Sequence, residues 1–216
     1  MTEAVFFDLD GTFADTAPDL AAAVNHVLAT RDLPPLPLEV LRPQASHGSP
    51  GLLKAAFGIT PEAAEYEGLR AIFLDYYASH ICDHTRLFDG MAELIDALEA
   101  RGLPWGIITN KPQRYTLPLM QALGYAERAA CLISADTCQY AKPHAQPMLK
   151  ACELASVTAE NCLYLGDDLR DMQAANASGM RGLIAHWGYI SSDHTTWGAA
   201  GGLQHPLQLL DWLTIR

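Results

Sequence analysis

The chain has 216 residues, 50% hydrophobic and only 18% charged, which excludes intrinsic disorder and leaves enough apolar surface for a core without disulfide or metal staples. Twenty-five Asp and Glu against 14 Lys and Arg give a net charge of −11, which argues against nucleic acid as a partner but not against a small anion held by a few local cations. No apolar run approaches membrane-span length, and the start Met1-Thr2-Glu3-Ala4 has neither the basic nor the apolar stretch of a signal peptide, so a cytoplasmic protein without a membrane partner is expected.

The first segment, Ala4-Val5-Phe6-Phe7-Asp8, is short, apolar and β-rich, and predicts a strand buried on both faces. A mostly helical stretch follows, with helices expected over Leu20 to Thr30, Leu38 to Gln44, Leu52 to Phe57 and Pro61 to Ile81. The prolines of Pro34-Pro35-Leu36-Pro37 divide the first two. From residue 91 onward strand and helix alternate. Helices are predicted over Met91 to Arg101, Tyr115 to Leu123, Gln146 to Leu154 and Leu169 to Ser178. Strands are predicted over Pro104 to Thr109, Ala130 to Ser134, Cys162 to Gly166 and Arg181 to Ala185. Gly102, Gly124 and Gly179 stand just past three of these helices, where a left-handed cap is needed. The alternation predicts an α/β fold with a parallel sheet and helices on both faces, a helical segment being inserted after the first strand. Five cysteines without CxxC spacing suggest neither a disulfide framework nor a zinc site.

The chemistry concentrates at strand ends, where open α/β sheets bind ligands. Asp8-Leu9-Asp10-Gly11-Thr12 places two carboxylates two residues apart as the first strand ends, with Gly11 for a sharp turn and a hydroxyl on Thr12. Paired carboxylates repel unless a cation or a shared proton relieves them, and Mg²⁺ suits an oxygen-only site. Thr109-Asn110, Lys142-Pro143 and Gly166-Asp167-Asp168-Leu169-Arg170-Asp171 follow three other strands. Together these groups suit a phosphate monoester: Asp8 to attack phosphorus, Mg²⁺ to screen the repulsion between carboxylate and phosphate, and Lys142 and Thr109 to hold phosphoryl oxygens.

In this order, with a helical insert after the first, the four motifs resemble those of the haloacid dehalogenase superfamily of phosphatases, over essentially the whole chain. The resemblance implies a three-layer Rossmann-like core, residues 1–15 and 86–216, with strand order 5-4-1-2-3, and a helical cap, residues 16–85. It implies that Asp8 is the nucleophile forming an aspartyl-phosphate, and that Asp10 protonates the leaving oxygen and then deprotonates the hydrolytic water. Mg²⁺ would be held by the side chains of Asp8 and Asp167 and the backbone carbonyl of Asp10. Thr109 and the Asn110 backbone would bind the phosphoryl group, Lys142 would stabilise charge, and Asp171 or Asp168 would orient Lys142 or a metal-bound water. Hinges are expected near Phe13-Ala14-Asp15 and Arg86-Leu87-Phe88.

The loop Arg42 to Ser49 is similar to the substrate-reading loop of phosphoglycolate phosphatase-like members, with Arg42 or His47 contacting a substrate carboxylate or hydroxyl. That branch implies a small phosphorylated metabolite as partner, 2-phosphoglycolate first and N-acetylmuramic acid 6-phosphate as the alternative, and a monomer or homodimer. A metal-independent dehalogenase is disfavoured by Asp10 and the acidic fourth motif. A phosphomutase shares the set. A phospho-accepting signalling module is disfavoured because an acid/base two residues from the nucleophile promotes turnover.

Overall fold

The computed structural model describes residues 1–213. Strand β1 (Ala4–Phe7) leads through a short strand β2 (Ala14–Asp15) into helices α1 (Ala17–Ala29), α2 (Leu38–Leu41), α3 (Gly48–Phe57) and α4 (Tyr66–Ser79). Strand β3 (Arg86–Leu87) then opens the alternating part: α5 (Met91–Ala100), β4 (Trp105–Ile108), α6 (Gln113–Leu123), β5 (Cys131–Ile133), α7 (Gln146–Ala155), β6 (Cys162–Gly166), α8 (Leu169–Ser178), β7 (Arg181–Ala185) and β8 (Gly201–Leu203).

Six strands form one parallel sheet in the order β5-β4-β1-β6-β7-β8. Numbered among themselves, the five predicted strands run 5-4-1-2-3, and β8 extends the edge beside the fifth. Alternation along each strand divides the core into two layers. Val5, Phe7, Trp105, Ile107, Leu163 and Leu165 face the helices α5 and α6. Ala4, Phe6, Ile108, Cys162 and Tyr164 face α7 and α8. Both faces are therefore covered, as a parallel sheet requires.

Helices α1 to α4 gather their own apolar cluster, with Val24, Leu41, Leu52, Leu69 and Phe73 at its centre and Tyr115 and Tyr189 joining it from the sheet side. Two details differ from the sequence reading. The helix expected over Leu38 to Gln44 is α-helical only to Leu41 and continues as a 3₁₀ turn, Arg42–His47. Pro43 has no amide to donate and tightens the chain there. The helix expected from Pro61 begins at Tyr66, after turns closed by Ala63 N–H to Thr60 O and Tyr66 N–H to Ala63 O. The two expected hinge segments lie side by side: β2 and β3 pair antiparallel, Ala14 with Leu87 and Asp15 with Arg86.

Candidate active site

The segments that follow β1, β4, β5 and β6 deliver the predicted groups to one place. Lys142 is buried, and its ammonium donates to Asp8 Oδ1 at 2.7 Å, Asp171 Oδ1 at 2.7 Å and the Tyr164 hydroxyl at 2.8 Å. All three ammonium protons are thereby used. Burial works against the charge on Lys142, but Asp171 and Asp8 outweigh it and hold its pKa above the ordinary value. Asn110 fixes the loop that brings this lysine in: its side chain donates to the Lys142 carbonyl and accepts from the Lys142 amide, both at 2.9 Å.

Asp8, Asp167 and Asp171 each offer a carboxylate oxygen within 4.8 Å of the others, a group able to hold a metal ion. Burial pushes the Asp8 carboxyl up to about 6, with Asp171 and Asp10 adding to the rise and Lys142 opposing it. Burial also pushes Asp167 well above the usual carboxylate range, reinforced by Asp8 and Asp171. Lys142 pairs with Asp8 and Asp171 but not with Asp167, so ionising all three buried acids leaves a surplus of negative charge that a divalent cation would balance.

Asp167 is held from three directions. Thr12 donates to Oδ1 at 3.0 Å, the Tyr189 amide to Oδ2 at 2.7 Å, and Ser46 to Oδ2 at 3.1 Å. Gly11 makes this approach possible. It sits at φ +90°, and any Cβ there would strike the Asp167 carboxylate. Asp171 closes a capping box with Asp168 at the start of α8, accepting the Asp168 amide at 3.0 Å. Asp168 in turn takes the Arg170 guanidinium at 2.7 Å, which lowers its pKa against the effect of burial. Arg170 reaches across to the Ser46 carbonyl at 2.8 Å.

Asp10 is set apart from the acidic cluster. Its Oδ1 accepts from Thr16 at 2.6 Å and from Lys111 at 2.9 Å. Lys111 is buried and stands 4.7 Å from the centre of the Tyr77 ring. Burial opposes the charge on Lys111, yet Asp10 and Tyr77 together raise its pKa. Thr109 is buried, and its hydroxyl accepts the Lys111 amide at 3.1 Å.

A cavity of about 380 Å³ opens over these groups, between the sheet and the helices α1 to α4. Asp8, Asp10, Thr109, Asn110, Lys142, Asp168, Asp171 and His47 line it, whereas Asp167 lies behind the lining. Of the two residues the sequence reading offers to the substrate, Arg42 or His47, the cavity is lined by His47 and not by Arg42. The Arg42 guanidinium pairs with Asp15 at 2.7 Å and lies over the Tyr189 ring.

Sequence reasoning missed Lys111, Tyr189 and Ser46. Lys111 adjoins the Thr109-Asn110 motif, so a lysine beside a strand-end hydroxyl was the available signal. Nothing in the spacing marks Tyr189 or Ser46, whose contacts bridge 22 and 121 residues.

Residues 5–185 match the haloacid dehalogenase-like hydrolase family, and the chain belongs to it. Among relatives, it is 40% identical to an N-acetylmuramic acid 6-phosphate phosphatase of Pseudomonas aeruginosa, the match covering 98% of this chain and 94% of the relative. It is 43% identical to a phosphoglycolate phosphatase of Xylella fastidiosa, over 94% and 89% of the two chains. The fold superposes with a TM-score of 0.86 on a structure from Haemophilus somnus described as a predicted phosphoglycolate phosphatase, at 24% identity and covering 98% and 97% of the chains.

Proposed function

We propose that this protein is a Mg²⁺-dependent phosphatase of small phosphate monoesters that works through an aspartyl-phosphate on Asp8. The observation that carries the reading is the buried contact of Lys142 with both Asp8 and Asp171 beneath a cavity, beside a third acid, Asp167. An all-oxygen, negatively charged donor set suits a hard divalent cation, and Asp8, Asp167 and the Asp10 carbonyl are the groups assigned to it. When bound, the cation supplies charge neutralisation between carboxylate and phosphate.

The protein's own groups divide the remaining work. The free carboxylate oxygen of Asp8 attacks phosphorus, the P–O bond to the leaving group breaks, and Asp10 gives that oxygen a proton. A water then attacks the phosphorus of the aspartyl-phosphate, Asp10 takes the water's proton, and inorganic phosphate leaves with Asp8 restored. Thr16 and Lys111 both bind Asp10 Oδ1, which orients the carboxyl group and leaves Oδ2 for the proton transfers. Lys142 neutralises charge on the nucleophile and the phosphoryl oxygens, with Thr109 and Asn110 beside it. Residues 16–85 act as a cap that closes over the core of residues 1–15 and 86–216 and excludes water, with the β2–β3 ribbon as its hinge.

Of the candidate substrates, 2-phosphoglycolate follows first from the sequence resemblance. N-acetylmuramic acid 6-phosphate is the second reading, and the cavity favours it. At about 380 Å³ with Leu20, Phe73, Leu74 and Tyr77 in its wall, the cavity falls in the range of roughly 300–1,000 Å³ usual for ligands much larger than a two-carbon acid. The test is phosphate release from both compounds, with Mg²⁺ and with EDTA, by wild type and Asp8→Asn. Metal-dependent release that is lost in the variant supports the reading. Release that persists in Asp8→Asn, or a stable phosphoprotein without turnover, overturns it.

A further inference from the structure

In an acidic protein the cavity gathers cations beside its four carboxylates, Asp8, Asp10, Asp168 and Asp171. Five of the 14 Lys and Arg residues line it, namely Arg70, Lys111, Arg114, Lys142 and Arg170. Three are already matched: Lys142 with Asp8 and Asp171, Lys111 with Asp10, and Arg170 with Asp168. The other two are not. Among the described residues Arg70 pairs with Glu67 alone, at 3.3 Å, in an exposed pair whose contribution is small. Arg114 lies 4.7 Å from the centre of the Tyr115 ring and meets no carboxylate among the described residues.

Placement on α4 gives a ruler. Arg70, Phe73, Leu74 and Tyr77 follow the i, i+3, i+4, i+7 pattern of one helix face, and all four line the cavity. Tyr77 lies at the Lys111–Asp10 end. Arg70 is seven residues away, roughly 10 Å along the helix axis at about 1.5 Å per residue. Tyr77 also touches Tyr115, the residue after Arg114, at a ring-centre distance of 5.8 Å, so α4 and α6 join at this wall.

We infer that Arg70 and Arg114 determine specificity by holding a carboxylate of the substrate remote from its phosphate, across an apolar wall that accepts a sugar-sized body. A guanidinium offers a planar fork of donors that matches a carboxylate, and these two are the cavity's uncommitted forks. The inference rests on the phosphatase reading of the same site and extends it to what the far end of the cavity recognises.

The experiment compares N-acetylmuramic acid 6-phosphate with N-acetylglucosamine 6-phosphate, which lacks the carboxylate, in wild type, Arg70→Ala and Arg114→Ala and the corresponding lysine variants. The ratio of kcat/KM for the two esters is expected to fall about tenfold or more in each alanine variant, chiefly through KM, with partial recovery by lysine. A loss shared equally by both esters, or an unchanged ratio, overturns the assignment. Calorimetric binding of the two esters to Asp8→Asn and to its arginine double variants reads the same ratio without turnover. Absence of turnover in wild type therefore counts against the phosphatase reading, whereas an unchanged binding ratio counts against the arginines.

Discussion

The hydroxyl of Ser46 lies 3.1 Å from Asp167 Oδ2, so a residue of the helical segment touches the acidic cluster of the sheet directly. Arg170 strengthens the link by binding the Ser46 carbonyl at 2.8 Å. Substrate access and the geometry of the cluster are therefore tied through one turn of chain. Ser46→Ala removes one of three donors on Asp167 while Tyr189 and Thr12 remain. The expected outcome is a fall in kcat/KM of about fivefold, corresponding to about 1 kcal/mol, measured with any accepted phosphate ester.

The proposed metal site predicts a defined pH dependence. Asp8 has its folded pKa raised from 3.8 to about 6, so its burial costs nothing below pH 3.8 and costs the full amount above about 6 in the metal-free protein. Under the proposed function Mg²⁺ would bind the ionised form and offset that cost. At about ten times its dissociation constant the cation should add about 1.4 kcal/mol, a Tm gain of a few degrees for a chain of this size. Thermal denaturation with Mg²⁺ and with EDTA should show this gain at pH 8. It should shrink as the pH falls through about 6, because protonation of Asp8 competes with the metal. A gain that grows on acidification would contradict the assignment.

Lys142→Met tests the buried ion cluster as structure. It leaves Asp8 and Asp171 without their shared cation, and breaking a buried pair on one side costs about 3–5 kcal/mol. Urea unfolding in EDTA should report a loss in this range. Mg²⁺ should restore part of it, since the cation takes over the neutralisation.

Gly11→Ala combines two penalties. The positive φ disfavours any side chain, and the added methyl group displaces the Asp167 carboxylate. A stability loss of about 2 kcal/mol or more is expected, together with loss of Mg²⁺-dependent stabilisation. Calorimetric Mg²⁺ titration distinguishes this from a simple backbone effect, which would leave the affinity intact.

The strands that carry the site were legible because they are short runs buried on both faces, such as Ala4–Phe7 and Cys162–Gly166, bounded by turn residues and by helices with glycine stops. Their carboxyl ends follow from the order of elements, which is why Asp8, Thr109, Lys142 and Asp171 could be placed together from sequence alone. The ribbon of Ala14–Asp15 with Arg86–Leu87 was not legible as strands, since two residues show no period. Strand β8 begins with Gly201-Gly202, a pair that strand propensity disfavours, and only its pairing with β7 makes it a strand. The pairing of Arg42 with Asp15 was not legible, because motif order cannot say which of two nearby anions, a ligand or Asp15, a guanidinium will choose.

Tyr189 gives the order of assembly a consequence. Its amide holds Asp167, its hydroxyl donates to Asp15 at 2.6 Å and accepts the Ala17 amide at 2.9 Å, and the neighbouring Trp187 ring donates to the Thr12 carbonyl at 3.0 Å. Tyr189 and Trp187 both lie beyond Asp171, the last of the site's acids in the chain. A chain made only as far as β7 thus possesses every carboxylate of the centre, with the Thr12 and Ser46 hydroxyls but without the Tyr189 amide, the shortest of the three hydrogen bonds to Asp167. The last contact to the acidic centre in chain order therefore comes from a loop rather than from a strand, and β8 follows it.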